Sequence, residues 1–275
     1  MTGWSRNLFP AALILTIALI LAGCSAGTEE SFEGSAPGET TGPVSVVDEE
    51  ITVASNIAYP PFEFSPRDGP QGFDIDLMNE IAERAGLEVE YENVEFDGLI
   101  RGLDADLFDA AISAMTITPE RQQQVDFSDP YFNADQSLLV ASYSDVESVD
   151  DLADATVGVQ LGTTGQIEAQ ELINAGTIKQ GRPFRTIEDA FAALQDGQVE
   201  GVIYDLAVAQ DVVEKSEGEL RIVETVPTGE QYGIAFSKDS DLVEPVNEAL
   251  AEIKADGTYE EIYERWIGLP PEEIP

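Results

Sequence analysis

The sequence predicts an α/β fold of two lobes, each a mostly parallel sheet flanked by helices. Three observations predict it. From Ile51 onward, short apolar runs alternate with helical patterns, as βαβ units do. The alternation restarts after residue 135. The chain has 275 residues, 43% of them hydrophobic, enough for two separate cores. Two lobes joined by two strand-like crossings fit this order better than one doubly wound sheet.

The elements follow in order. "ITVAS" reads as a strand, and "FDIDLMNEIAERAGL" (73–87) as a helix with Ile75, Met78, Ile81 and Ala82 on one face and Gly86 as its stop. "VEYENV" is a second strand, "FDGLIRGLDADL" a second helix and "FDAAISAM" a third strand. After residue 135 come strand "SLLVAS", a helical "SVDDLADA", strand "TVGVQ", a turn "LGTTG" and helix "QIEAQELINAG". Helix "TIEDAFAALQDGQ" and strand "EGVIYD" follow, and the chain closes with strand "YGIAFSK", helix "DLVEPVNEALAEIKADG" and the aromatic "TYEEIYERWIG".

Charge and composition exclude whole classes of function. Thirteen Lys and Arg stand against 54 Asp and Glu, a formal net charge of −41. With no basic patch to neutralise phosphates, nucleic acid is excluded as a partner. The acid is spread along the chain, which argues against a disordered tail. In about 1 M salt the Debye length is roughly 3 Å, so such self-repulsion is largely screened; a salt-adapted source is the expectation, an acidic secreted protein the alternative. There is no histidine and a single cysteine, Cys24. Ser-His-Asp and Cys-His catalysis, the usual zinc sites and an intrachain disulfide are therefore excluded, and no cofactor is expected.

The N-terminus predicts export. Arg6 precedes "LFPAALILTIALILAG", an apolar run short for a membrane span. "LAGC" (21–24) resembles the lipobox of secreted lipoproteins, which implies cleavage after residue 23 and lipidation of Cys24; an uncleaved membrane anchor is the alternative. Residues 25–47 are rich in Ser, Gly, Glu, Thr and Pro and read as tether. Signal peptide 1–23 and lipidated tether 24–50 thus precede the folded part. No membrane span is expected after the lobes.

One short stretch carries the functional signal. In "SAMTITPERQQQVDFSDPYF" (113–132), Thr118 is a good N-cap and Pro119 suits the first helical position. Arg121 would then be the third helical residue, where the helix dipole favours anions rather than cations. A guanidinium placed there makes sense if a negative guest is expected, because its fork matches a carboxylate and a helix N-terminus favours the same anion. A surface ion pair is the alternative.

Six pieces in sequence resemble the solute-binding proteins of amino-acid ABC importers: "ITVASNIAYPPFEF", "GFDIDLMNEIAERAG", "TITPERQQQVDFSDPYF", "GTTG", "YGIAFSK" and "GTYEEIYERWIG". The resemblance runs from Ile51 to Gly268. It implies a type II periplasmic-binding-protein-like fold, with lobe 1 at 51–130 plus 233–275, lobe 2 at 136–227, and a two-strand hinge at 131–135 and 228–232. It implies that Arg121 holds the α-carboxylate of a free amino acid and that Asp205 pairs with its α-ammonium. Tyr59 and Phe96 match aromatics that sandwich the aliphatic part; plain core is their alternative. Asn56 matches a position where several relatives carry an acid that reads the ligand side chain. Ala114 and Thr116 match positions offering a carbonyl, a hydroxyl and an N–H, with Met115 between them on the wall. Thr164 matches a backbone N–H donor to the carboxylate, Thr163 lies beside it, Gln160 faces the side-chain end, and Tyr204 matches a variable side-chain contact.

The implied mechanism is a clamp that closes around a zwitterion and excludes water from charge-assisted bonds. Neutral Asn56 and Gln160 favour a polar, glutamine-like ligand; stacking on Tyr59 and Phe96 keeps arginine open. The expected protein is monomeric, anchored by lipid outside the cytoplasmic membrane, and passes its cargo to ABC permease subunits. It is expected not to be an enzyme. The alternative is a dehydratase on the same scaffold, which would need a general acid in the cleft.

Overall fold

The computed structural model describes residues 49–66 and 69–275. The signal segment, Cys24 and the tether up to residue 48 lie outside the described residues. Strand β1 (Glu49–Ser55) begins inside the expected tether, because Glu49 and Glu50 already pair with Leu87 and Glu88. A small hairpin follows, β2 (Ala58–Tyr59) and β3 (Glu63–Phe64), then α1 (Phe73–Ala85) and β4 (Leu87–Asn93). Helix α1 buries Phe73, Ile75, Leu77, Met78, Ile81 and Ala82 and ends at Gly86, whose φ of 72° is left-handed and whose N–H closes on the Ala82 carbonyl.

A 3₁₀ turn (Phe96–Gly98) leads into α2 (Leu99–Asp104), β5 (Ala110–Ala111) and β6 (Asp126–Phe127). These complete one half with the late strand β12. The second half contains β7 (Phe132–Ala141), β8 (Thr156–Gln160), α3 (Thr164–Ala175), β9 (Gln180–Phe184), α4 (Ile187–Gln195), β10 (Gly201–Asp205), α5 (Leu206–Lys215) and β11 (Leu220–Tyr232). The chain then returns through β12 (Ala235–Phe236), α6 (Val243–Asp256) and α7 (Thr258–Ile267). Two five-stranded sheets result, in the orders β4-β1-β5-β12-β6 and β11-β7-β10-β8-β9.

The expected two-sheet α/β architecture is present, but the sheets are more mixed than expected. β4 and β5 run parallel to β1, and β8 runs parallel to β9 and β10. β12 is antiparallel to β5 and β6, and β7 is antiparallel to β10 and β11. The antiparallel members are strands beside the points where the chain leaves one sheet and comes back. Two expected strands also shrink. "FDAAISAM" keeps only Ala110–Ala111, because Ala114 turns the backbone to a φ of 43°. "YGIAFSK" splits, Tyr232 ending β11 and only Ala235–Phe236 forming β12.

An aromatic block fills the place where β7 starts and β11 ends. Phe132 stacks on Tyr232 (5.5 Å, 15°) and on Tyr263 (5.4 Å, 16°), and meets Phe62 edge-on at 4.8 Å. Each such pair contributes about 0.5–1.5 kcal/mol beyond its buried area. The block packs the two crossings against α7 and the β2–β3 hairpin. No helix among the described residues is long and apolar enough to cross a membrane.

Candidate functional site

Arg121 opens a single 3₁₀ turn (Arg121–Gln123) rather than the expected α-helix. Thr118 still caps it, its Oγ1 accepting from the Arg121 N–H at 3.2 Å. The turn does not continue into an α-helix before β6 begins at Asp126, so the helix-dipole part of the expectation fails. The side chain is nonetheless turned inward and only 8% exposed. Its Nη1 donates to the Thr116 carbonyl at 2.6 Å, its Nη2 donates to the Gly162 carbonyl at 3.0 Å, and its Cζ lies 5.3 Å from the Phe96 ring centroid. No carboxylate lies within ion-pair distance of it among the described residues, which removes the surface-pair alternative. Burial lowers its pKa, while the charges of Asp205 and Glu230 act the other way.

Asp205 ends β10 and is 9% exposed. Its Oδ2 accepts from the Tyr59 hydroxyl and, at 2.7 Å, from the Tyr232 hydroxyl; its Oδ1 accepts from Gln136 Nε2. Burial pushes this carboxyl up, and these donors together with Arg121 pull it down. Tyr59 and Phe96 each engage one of the two charged residues. Tyr59 is bound to Asp205 and meets Tyr204 edge-on at 5.2 Å, whereas Phe96 lies under Arg121.

Thr164 is the first residue of α3, not part of a loop turn, and joins the two charged ends. Its Oγ1 lies 3.5 Å from Thr116 Oγ1, accepts from Gln136 Nε2 at 3.3 Å and donates to Glu230 Oε2 at 3.2 Å. Thr163 is the N-cap: its Oγ1 accepts from the Gln166 N–H at 3.3 Å and donates to the Gln160 carbonyl at 2.8 Å, so its hydroxyl is fully engaged in capping. At the other end, Gln160 Nε2 donates to Asn56 Oδ1 at 3.2 Å and to the Arg185 carbonyl at 3.4 Å. Gln160 Oε1 and the Tyr204 hydroxyl are buried with no donor or acceptor partner.

Ala114 donates its N–H to Asp74 Oδ2 at 2.7 Å, and one assigned residue sits differently from expectation. Met115 is fully buried in a patch with Ala54, Leu99, Leu103, Phe108 and Val125, so its side chain is core rather than wall.

Arg121, Thr116, Thr164 and Asp205 thus form one hydrogen-bonded cluster, tied across the two sheets by Arg121 to Gly162, Thr116 to Thr164, Tyr59 to Asp205 and Asn56 to Gln160. Three members were missed: Gln136 on β7, and Glu230 and Tyr232 on β11. Both Glu230 and Tyr232 lie in the expected hinge at 228–232; Glu230 carries no motif that marks it among the other acids, and Tyr232 also opens an expected strand. Gln136, the polar residue just before the apolar run "SLLVA", was the one visible signal. A groove of about 650 Å³ opens beside the cluster, lined by Thr116, Pro119, Gln122, Ser128 and Glu230 among others. Among the described residues no group of acid, cysteine or histidine side chains is arranged to hold a metal ion.

Residues 51–269 match the family model of bacterial extracellular solute-binding proteins, family 3. The chain belongs to this family. This solute-binding protein is 32% identical over 220 residues to the arginine-binding extracellular protein of Bacillus subtilis (strain 168), covering 79% of this chain and 86% of that one. It is 33% identical over 262 residues to the probable histidine-binding protein of Neisseria gonorrhoeae, covering 94% of each. The solved structure of the arginine-, lysine-, histidine-binding protein ArtJ from Geobacillus stearothermophilus matches with a TM-score of 0.76 and 38% identity, over 82% of this chain and 97% of that one. These relatives are named for binding.

Proposed function

We propose that this solute-binding protein captures a free amino acid between its two sheets, outside the cytoplasmic membrane, and delivers it to an ABC permease. The observation that carries this reading is the convergence of buried Arg121 and buried Asp205, reached from different sheets, on one polar cluster. In this reading Arg121 forks the α-carboxylate, helped by the N-terminal amides of α3 at Thr164, and Asp205 takes the α-ammonium. Tyr59, Tyr232 and Gln136 hold Asp205 in place for that role. Residues 131–135 and 228–232 act as the hinge, and a lipid on Cys24 tethers the monomer to the membrane.

The side chain of the guest is cationic, arginine before lysine or histidine. Glu230 supports this, because two acids in the cluster, Asp205 and Glu230, stand against one guanidinium, and a guest with net positive charge balances them. The buried, donor-less Gln160 Oε1 supplies an acceptor for a guanidinium N–H. A second reading, a glutamine-like guest, is favoured by the neutral amide pair Asn56–Gln160. Calorimetry with L-arginine, L-lysine, L-histidine and L-glutamine separates them. Arginine is expected to bind at least about tenfold more tightly than glutamine, and E230Q to narrow that ratio. Tighter binding of glutamine would replace the cationic reading with the second one; silence from all four would remove the amino-acid reading.

A further inference from the structure

Beneath the cluster lie two acids that contact none of its charged members. Glu63 on β3 and Asp74 in the first turn of α1 are both fully buried. Glu63 Oε1 accepts from Ser113 Oγ at 2.6 Å, and Ser113 Oγ in turn accepts from the Asn56 N–H at 3.1 Å. Asp74 Oδ2 accepts from the Ala114 N–H at 2.7 Å and from the Tyr131 hydroxyl at 2.9 Å. Each carboxyl keeps one buried oxygen without a donor, Glu63 Oε2 and Asp74 Oδ1, and the two acids sit side by side: they anchor on consecutive residues, Ser113 and Ala114, and the Asp74 N–H bonds the carbonyl of Phe62, next to Glu63. Neither takes part in an ion pair among the described residues. Two ionised carboxylates facing each other without a cation in a dry interior are strongly disfavoured, and a single proton between them satisfies both empty oxygens.

We infer that Glu63 and Asp74 share one proton, and that this pair is a positioning device which fixes the segment from Ser113 to Thr116 in its binding shape. The segment needs such a device. Ala114 is a non-glycine residue at a φ of 43°, a conformation that costs free energy unless its surroundings impose it. Asp74 imposes it through the Ala114 N–H. Two residues on, the Thr116 carbonyl receives Arg121, and through Ser113 the same pair sets the backbone of Asn56. The shared proton thus stands behind both ends of the proposed binding site while contacting no guest; in that sense the inference rests on the receptor reading.

Titration follows the same geometry. Burial first, and then the neighbouring acid, pushes Glu63 well above the ordinary carboxylate range, and burial pushes Asp74 up as well. The other titratable groups facing the pair are the phenols of Tyr131, Tyr91, Tyr259 and Tyr204 and the carboxyl of Asp205, none of which supplies a positive charge. Because the folded values are raised, the pair's contribution to stability is fully present below the unfolded carboxylate range and is lost as pH rises through the folded values.

The test uses E63Q, D74N and the double variant E63Q/D74N. In E63Q the amide Nε2 replaces the shared proton as donor to Asp74, and in D74N the Asn Nδ2 donates to Glu63, so each single variant keeps every hydrogen bond. In the double variant two NH₂ groups face each other, and relief requires turning one of them onto Ser113 or Ala114. Infrared difference spectra at pH 7 are expected to show a carboxylic-acid C=O band in the wild type that both single variants lose. Both singles should bind L-arginine within about threefold of wild type, and the double at least about tenfold more weakly than either, because coupled neighbours are non-additive. Wild-type affinity should also decline on the alkaline side, with E63Q flat over the same range. The absence of the acid band, or a double variant equal to the product of its singles, overturns the inference. If no amino acid binds the wild type, the receptor reading fails separately, while the infrared band and the melting temperatures of the four proteins still decide the proton.

Discussion

Arg121 directs its guanidinium at two main-chain oxygens and one ring, and this sets what its loss would cost. In Arg121→Ala the Thr116 and Gly162 carbonyls lose their donor, and a bound carboxylate would be buried without its partner. The expected loss of amino-acid affinity is about 2–5 kcal/mol, read by titration calorimetry. A loss below about tenfold would remove Arg121 from its proposed role. Asp205 supplies a second prediction at this scale. Its pKa is raised by burial, and an ammonium is held only by the ionised form. Affinity should therefore be constant at neutral pH and fall as pH drops, beginning above the ordinary aspartate range, whereas D205N should be weak throughout. Arg121 stood out in the sequence because a cation follows good helix-capping residues, whereas Asp205 stood out only through the family resemblance and its place at the end of a strand. Glu230 did not stand out, since one acid among so many gives no contrast; its partners Gln136 and Thr164 exist only once β7, β11 and α3 are brought together.

At the scale of elements, the sequence located helices better than strands. The face of α1 and its Gly86 stop were visible from spacing alone, and Thr186 caps α4 as its sequence suggests. Between Asp205 and the expected hinge strand at 228–232 no element is expected, yet the region holds α5 and the first part of β11. β11 carries bulges and a polar, half-exposed pattern, which erases the alternation that marks a strand. The turn at Arg121 failed for the opposite reason: good capping residues promised a helix that the nearby strand cut short. The α1 end offers a test of element packing. Arg84 bonds Glu80 on its own helix and reaches Asp256 Oδ2 at 2.8 Å and Thr258 Oγ1 at 3.0 Å, pinning α1 to the α6–α7 corner. The Thr258 hydroxyl, with help from Arg84, holds the Asp256 carboxyl down at about 2. A lowered folded value gives stability that is present above the unfolded aspartate range and lost as pH falls towards 2. Acid unfolding followed by circular dichroism should start at higher pH in D256N than in wild type. Coincident acid transitions would mean that this corner is held by packing alone.

For the molecule as a whole, the dominant fact is a net charge of −41 with few cations to offset it. Several of those cations serve buried or half-buried joints, as Arg121, Arg84 and Lys254 do, so the remaining surface acids repel one another with little relief. The melting temperature should climb as salt is raised from about 0.05 M to about 1 M, where the Debye length falls from over 10 Å to roughly 3 Å. Potassium chloride and sodium chloride should act alike if screening is the cause. A flat curve would show that self-repulsion does not limit this fold and would leave the acidic surface without a salt-adaptive role. The two-sheet plan was readable in the sequence because the βαβ rhythm stops and restarts. Which strands cross between the sheets was not readable from that rhythm, since a crossing strand is defined by where it goes.

Gly162 makes one of these joints unusually tolerant of evolutionary drift. What it offers Arg121 is a main-chain oxygen, so no exchange of side chains can delete the acceptor. Its left-handed φ of 82°, with Asp97 Cβ only 3.3 Å from where a new methyl would sit, discourages replacement of the residue itself. A lineage could rewrite Asn56, Gln160 and Glu230 for another cargo and inherit the same latch unchanged.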